Sequence, residues 1–355
     1  MTIRDMTENT NNHLANYWQK ITGDKIQCLL CPRHCRLNDG QSGFCSVRQN
    51  IKGKLILTTY GLCSGLAIDP IEKKPLYHFF PGGNVLSFGT AGCNLDCSFC
   101  QNWHLSRADA KSYPGQKASP SFIAQTALKE KCIGVAFTYN EPSIFAEYAI
   151  DTAQECHKAG LQTVAVTSGY IEGAAREDFY KVMDAANVDL KSFNNDFYRE
   201  FCHGDLKTVL DTLLHIKEKT KTWLEITTLL IPYLNDSPKE INELCAWVKK
   251  YLGNCVPIHF SAFHPDYKMT GINATGKEII NQAREIAHSK GLKYVYTGNI
   301  HDPSGSTTFC PNCGETLIKR AFFSVTANNL ADGNKCPKCF NSGDAYLIID
   351  KTKKR

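Results

Sequence analysis

No apolar run in this 355-residue sequence approaches the roughly 18 residues that a membrane span needs. The start, Met1-Thr-Ile-Arg-Asp-Met-Thr-Glu, lacks the basic-then-apolar pattern of a secretory signal. Together these absences predict a cytoplasmic protein without a membrane partner. A charge excess is missing as well. Forty Lys and Arg against 35 Asp and Glu leave a formal +5, too mild to demand nucleic acid or a lipid surface. Low-complexity tracts are absent, and 43% apolar with 21% charged residues exclude disorder as the main state.

What the sequence has in abundance is cysteine, 17 in all. In a reducing compartment, cysteines at short spacings are more often metal ligands or catalytic groups than disulfides. Three clusters stand out: Cys28/Cys31/Cys35/Cys45, Cys93/Cys97/Cys100 and Cys310/Cys313/Cys336/Cys339. Cys63, Cys132, Cys156, Cys202, Cys245 and Cys255 are scattered and read as small buried hydrophobes with inert thiols.

The clusters divide the chain. Residues 1–24 are polar and read as a loosely held tail; 25–83 form a Cys-rich, glycine-punctuated segment; 84–300 form a core; 301–355 form a closing module. Across the core, short β-branched or aromatic runs alternate with amphipathic segments, the signature of βα units around a parallel sheet. The predicted strands are 85–88, 134–138, 163–167, 188–193, 223–230, 258–263 and 294–297. Helix ends are legible too. Ser237-Pro-Lys-Glu240 and Thr275-Gly-Lys-Glu278 read as capping boxes, and Gly253 and Gly291 as the matching stops. The expected fold class is α/β, a complete or partial barrel.

The sharpest signal follows the first core strand: Gly89-Thr-Ala-Gly-Cys93-Asn-Leu-Asp-Cys97-Ser-Phe-Cys100. A cubane iron-sulfur cluster has four corners and is normally held by four thiolates. Here one loop, freed by Gly89 and Gly92, offers three and leaves an iron open for a chelating small molecule. A three-cysteine zinc site, or a cluster completed by a distant cysteine, would use the same residues. The strand ends are polar: Thr138-Tyr-Asn-Glu141-Pro, Thr167-Ser168-Gly, Asp189-Leu-Lys191, Leu230-Ile231-Pro and Phe263-His264-Pro. In βα barrels the chemistry sits at those ends.

The loop, with Phe99 before its last cysteine, resembles the CxxxCxxC signature of radical S-adenosylmethionine (SAM) enzymes. The resemblance implies a partial TIM-type (β/α)6 radical SAM barrel and a [4Fe-4S] cluster whose open iron chelates SAM. One electron then cleaves a carbon-sulfur bond, giving methionine and a 5′-deoxyadenosyl radical that abstracts hydrogen from a substrate not yet identified. The strand ends are similar to those of pyruvate formate-lyase activating enzymes. That likeness implies Glu141 near the SAM amino group, Ser168, Asp189 and Lys191 lining the pocket, Ile231 on the adenine and His264 near the carboxylate and ribose. The family's Gly-Gly-Glu turn is Tyr139-Asn140-Glu141 here, which brings the backbone approach to SAM into question. Plainer readings stay open: Glu141 as the cap of a helix begun by Pro142, Asp189 with Lys191 as a structural ion pair, His264 as a turn residue and Ile231 as core.

Longer motifs carry a wider resemblance. Cys28-Leu-Leu-Cys-Pro-Arg-His-Cys35, Gly43-Phe-Cys45, Asp69-Pro-Ile-Glu-Lys-Lys-Pro-Leu-Tyr-His78, Phe263-His-Pro-Asp-Tyr-Lys268 and Tyr294-Val-Tyr-Thr-Gly-Asn299 resemble the radical SAM enzyme of the AmmeMemoRadiSam system. This implies partnership with Memo-like and AMMECR-like proteins and an electron donor such as flavodoxin or ferredoxin. In the Asp69–His78 run, Glu72, Lys73, Lys74 and His78 either reach the barrel mouth or form a solvated charged loop.

Cys28, Cys31, Cys35 and Cys45 offer four thiolates for a metal, either a second iron-sulfur cluster or a zinc staple. The two CxxC pairs Cys310/Cys313 and Cys336/Cys339 read as knuckles of a zinc ribbon, with mononuclear iron as the other occupant of the same ligands. Lys335, Lys338 and Lys351–Arg355 could touch nucleic acid but are more often solubilising. The expected function is that of a radical SAM oxidoreductase or transferase. Its rivals are an activase that places a glycyl radical on a partner protein, and a non-catalytic metal-binding module that docks nucleic acid or protein.

Overall fold

The computed structural model describes residues 13–341 apart from 114 and 333. Seven strands run parallel in one sheet: Asn84–Gly89, Gly134–Phe137, Gln162–Thr167, Ala185–Asp189, Trp223–Leu230, Ile258–Ala262 and Val295–Gly298, here the first to the seventh. Leu62–Pro70 runs antiparallel against the first, and Gln116–Lys117 adds to that edge. Among the described residues no pairing joins the first strand to the seventh, so the sheet is open. Each of the six crossovers carries a helix: Pro120–Lys129, Ala146–Lys158, Gly173–Lys181, Leu206–Lys219, Pro238–Tyr251 and Lys277–Ser289. Parallel neighbours require such crossovers, because a tight turn cannot return the chain to the same end of the sheet.

The helices form for the reasons their sequences give. In Pro238–Tyr251 the Ser237 hydroxyl accepts the Glu240 N–H at 3.3 Å, and Ile241, Leu244, Cys245 and Val248 bury one stripe against the sheet. A cap of this kind is worth about 1 kcal/mol. The chain then turns out at Gly253, whose φ of +96° disfavours any residue with a Cβ. The Glu240 carboxylate does not close the expected capping box. It accepts instead from the Phe193 N–H at 2.8 Å and from the Ser192 hydroxyl.

That contact explains why the fourth strand ends at Asp189 although the β-rich run continues to Phe193. The chain peels away after Asp189 toward Glu240. Thr275 is not a cap either; Gly276 occupies that position. The Thr275 hydroxyl donates to the Leu230 carbonyl at 2.6 Å and accepts from the Phe263 N–H, joining two strand ends.

Two expectations for the N-terminal third need correction. Residues 13–24 are no loose tail: His13–Leu14 pairs with Lys54–Leu57, and Trp18–Thr22 pairs with Lys25–Cys28. Residues 1–12 lie outside the described residues. The Asp69–His78 run does not line the cleft, and apart from the exposed Lys73 its charged groups are not solvated. Glu72, Lys74 and His78 are buried, and the N–H groups of Tyr77 and His78 donate to Glu225, near the N-terminal end of the fifth strand. The run plugs the end of the sheet opposite the polar strand ends.

A three-stranded antiparallel sheet, Thr308–Phe309, Thr316–Ala321 and Ser324–Asn328, carries the C-terminal cysteines. Its Arg320, 3% exposed, docks on that plug. No helix among the described residues is long and apolar enough to cross a membrane. The Lys351–Arg355 tail lies outside the described residues.

Candidate active site

The loop after the first strand is folded by its neighbours rather than by regular structure. Gly92 adopts φ +89°, and its N–H donates to the Leu105 carbonyl at 3.0 Å. Asn140 holds the base of the loop: its amide donates to the Gly92 carbonyl at 2.7 Å, and its side-chain oxygen accepts from the Thr90 N–H. Farther along, Asn94 donates to the Tyr170 carbonyl at 2.7 Å, and Arg107 donates to the Leu95 carbonyl at 2.6 Å. These bonds aim Cys93, Cys97 and Cys100 into one cleft of about 260 Å³.

The opposite wall comes from successive strand ends. Thr138 and Glu141 follow the second strand and Ser168 the third, Asp189 ends the fourth and Lys191 lies just beyond it, and Thr227, Leu229 and Ser261 belong to the fifth and sixth. Glu141 is buried. One carboxylate oxygen accepts from the Thr167 hydroxyl at 2.7 Å and from the Ser143 N–H; the other accepts from the Ser168 N–H at 2.6 Å and from the Ser168 hydroxyl. It therefore caps the short 3₁₀ turn begun by Pro142 and also lines the cleft. Asp189 and Lys191 form an ion pair at 2.9 Å. Burial opposes the charge on Lys191, but Asp189 and the nearby thiols Cys97 and Cys202 hold its ammonium well above the ordinary range.

Phe99 lines the cleft and stands 5.8 Å from the Lys191 ammonium. Two candidates lie elsewhere. Ile231 follows the last residue of the fifth strand and is fully buried in the core, while Thr227 and Leu229 are the residues of that strand that line the cleft. His264 is exposed and does not line the cleft.

The Tyr139-Asn140-Glu141 turn accommodates its side chains. Tyr139 takes φ +71°, and its hydroxyl donates to Asp69 at 3.0 Å. Asn140 supplies the loop contacts described above. Sequence reading missed Asn140, Thr227 and Cys202. Cys202 is fully buried beside Cys97, with the Asp96 N–H donating to its carbonyl at 3.1 Å. A buried thiol with no motif around it leaves no signal in a single sequence.

The residues fit an iron-sulfur cluster better than a single ion. Four thiolates around one tetrahedral ion at about 2.3 Å place sulfurs about 3.8 Å apart. Cys310 and Cys339 are 3.6 Å apart, as are Cys313 and Cys336, and all four sulfurs lie within 4.8 Å of one another. Among the described residues no other set of metal-ligating side chains meets that criterion, so Cys93, Cys97 and Cys100 are spread wider than one ion needs. Burial holds the Cys93 and Cys100 thiols above the ordinary range; Cys97 is raised first by the neighbouring Cys202 and then by burial. Metal must displace those protons. The Thr227 hydroxyl, buried in the cleft wall without a hydrogen-bond partner, is available to a bound molecule. At the C-terminal set, hydrogen bonds from Asn312 and Asn341 lower the Cys339 thiol to about 6.

A three-cysteine loop leading out of a parallel strand toward polar strand ends is the arrangement of radical SAM enzymes, and residues 88–247 match the sequence model of the Radical SAM superfamily. The chain is a radical SAM enzyme, and the superfamily implies a [4Fe-4S] cluster and SAM. It belongs to the same family as the uncharacterized protein MJ0808 of Methanocaldococcus jannaschii, to which it is 39% identical over 335 residues, 94% of this chain and 99% of that one. It is also similar to the pyruvate formate-lyase-activating enzyme of Clostridium pasteurianum, 26% identical over 201 residues, 53% of this chain and 83% of the relative. Among solved structures it shares its fold with SuiB of Streptococcus suis bound to the precursor peptide SuiA. That likeness has a TM-score of 0.50 and 14% identity and covers 65% of this chain and 52% of SuiB.

Proposed function

We propose that the enzyme binds SAM in the cleft between the cysteine loop and the strand ends, and uses it to abstract hydrogen from a substrate yet to be identified. In this reading the open parallel sheet is the wall of a partial barrel. Cys93, Cys97 and Cys100 would hold the [4Fe-4S] cluster, which when bound supplies the electron that splits SAM into methionine and a 5′-deoxyadenosyl radical. Glu141, fixed on both oxygens by Thr167 and Ser168, presents an acceptor to an ammonium group. Lys191 and Asp189 offer opposite charges to the polar parts of the same molecule, and Leu229 offers an apolar surface. Burial of Glu141 and of most of Lys191 limits water there and strengthens their polar contacts. Zinc at Cys310, Cys313, Cys336 and Cys339 and membership of the AmmeMemoRadiSam system belong to the same proposal.

The observation that carries it is the convergence of three half-buried free thiols and the buried Glu141 carboxylate on one cleft. Anaerobically reconstituted enzyme, reduced with dithionite, should release 5′-deoxyadenosine from SAM, and Cys97→Ala should abolish the release. Persistence in that variant would reject the site. The similarity to an activating enzyme favours a second reading, in which the hydrogen comes from a glycine of a partner protein. Electron paramagnetic resonance of the partner would then show a stable glycyl radical.

A further inference from the structure

We propose that Cys28, Cys31, Cys35 and Cys45 hold a second iron-sulfur cluster, packed against the loop that carries Cys93. The four thiols are free, and Cys28, Cys31 and Cys45 are each 7% exposed. Three turns bring them together. The Cys28 N–H donates to the Cys35 carbonyl at 3.0 Å, the His34 N–H to the Cys31 carbonyl at 3.1 Å, and the Ser46 N–H to the Gly43 carbonyl at 2.9 Å. Cys31 lies within electrostatic reach of all three other thiols.

The backbone around them points donors at sulfur. Phe44 N–H donates to Cys35 Sγ at 3.4 Å, and the backbone N–H groups of Arg33 and of Val47 and Arg48 lie close enough to Cys31 and Cys45 to favour their thiolate forms. Neutral buried thiols have little use for such donors, whereas thiolates on iron are stabilised by them. The Arg48 guanidinium, 1% exposed, adds positive charge beside Cys28 and Cys45 while pairing with Glu147 at 2.8 Å.

Spacing favours a cluster over zinc. Among the described residues the C-terminal cysteines are drawn together as one ion requires, and these four, like the Cys93 set, are not.

The site also adjoins the catalytic loop. A Cβ on Gly92 would sit 2.2 Å from the Cys45 carbonyl oxygen, and Arg33, between Cys31 and Cys35, donates to the Asn94 carbonyl at 2.6 Å. This placement suits electron entry. A reduced low-potential one-electron donor, such as a flavodoxin-type flavin, takes the N-terminal cluster from 2+ to 1+. The same electron then passes to the cluster at Cys93, reducing it from 2+ to 1+ and returning the N-terminal cluster to 2+. The electron path rests on the proposed SAM chemistry; the metal site does not.

The decisive material is the full chain carrying Cys93→Ala, Cys97→Ala and Cys100→Ala, reconstituted anaerobically with iron and sulfide. It should retain about four irons and about four acid-labile sulfides per chain, with a dithionite-reducible electron paramagnetic resonance signal. Adding Cys28→Ser and Cys45→Ser should remove them. Labile sulfide separates a cluster from lone iron at the C-terminal cysteines, which brings none. A triple variant with wild-type circular dichroism but no labile sulfide would overturn the site, as would zinc bound at Cys28–Cys45. For the path, Cys28→Ser/Cys45→Ser in otherwise wild-type enzyme should lower the ratio of flavodoxin-driven to dithionite-driven SAM cleavage by about tenfold. An unchanged ratio overturns the path and leaves the site to the triple variant.

Discussion

Arg320 of the C-terminal sheet donates from Nη2 to the Tyr77 carbonyl at 2.6 Å, with its guanidinium carbon 4.2 Å from the centre of the Tyr77 ring. The same guanidinium lies 3.4 Å from Glu72 and donates to Thr308 and Ser306. One side chain therefore joins the cysteine-bearing sheet to the plug at the N-terminal end of the parallel sheet.

Removing one partner of a buried ion pair leaves the other uncompensated, at about 3–5 kcal/mol. Arg320→Met should lower unfolding stability by that order, measured by chemical denaturation under anaerobic conditions. A loss below about 1 kcal/mol would show that the docking is not energetically important.

Glu141→Gln keeps the shape of the side chain but turns one accepting oxygen into a donor facing groups that already donate. Hydrogen bonds to charged groups are worth about 1.5–3 kcal/mol. SAM affinity, measured by equilibrium binding to the reconstituted enzyme, should fall by about tenfold or more, with iron content unchanged.

Acid should destabilise the fold through Glu225 and Asp69. Burial opposes the ionisation of Glu225, but the His259 bond at 2.7 Å outweighs it and holds the carboxyl below its ordinary 4.5; Lys73 and Lys74 do the same for Asp69, below its ordinary 3.8. A depressed folded-state pKa gives stability that is present above the ordinary value and lost as pH falls through the folded one. Melting temperature should thus decline below about pH 4.5, and Glu225→Gln should flatten the decline. Glu72 has the opposite sign, because burial raises it.

Chelation at the C-terminal cysteines should release one metal ion per site and unfold the sheet locally, since its small buried cluster is Cys310, Leu317, Ile318 and Cys336. Cys313→Ser should reduce the metal content by one equivalent in elemental analysis while leaving 5′-deoxyadenosine release intact.

The sequence alone specified the alternation of strands and helices, because burial against a parallel sheet forces periods of two and 3.6 on the chain. Seven of the observed strands overlap predicted ones, and Ser237 caps as expected. The cysteine clusters were equally plain, since ligand residues on one loop must be close in sequence. Only the tertiary structure could decide contacts between distant segments. It ended the fourth strand at Asp189 through Glu240, turned Ile231 into the core, left His264 in solvent and folded residues 13–24 into strands. It also set Cys202 against Cys97 and Asn140 beneath the cysteine loop. Hydrogen bonds across 47 or more residues obey no local period, so nothing in the spacing of the sequence announces them.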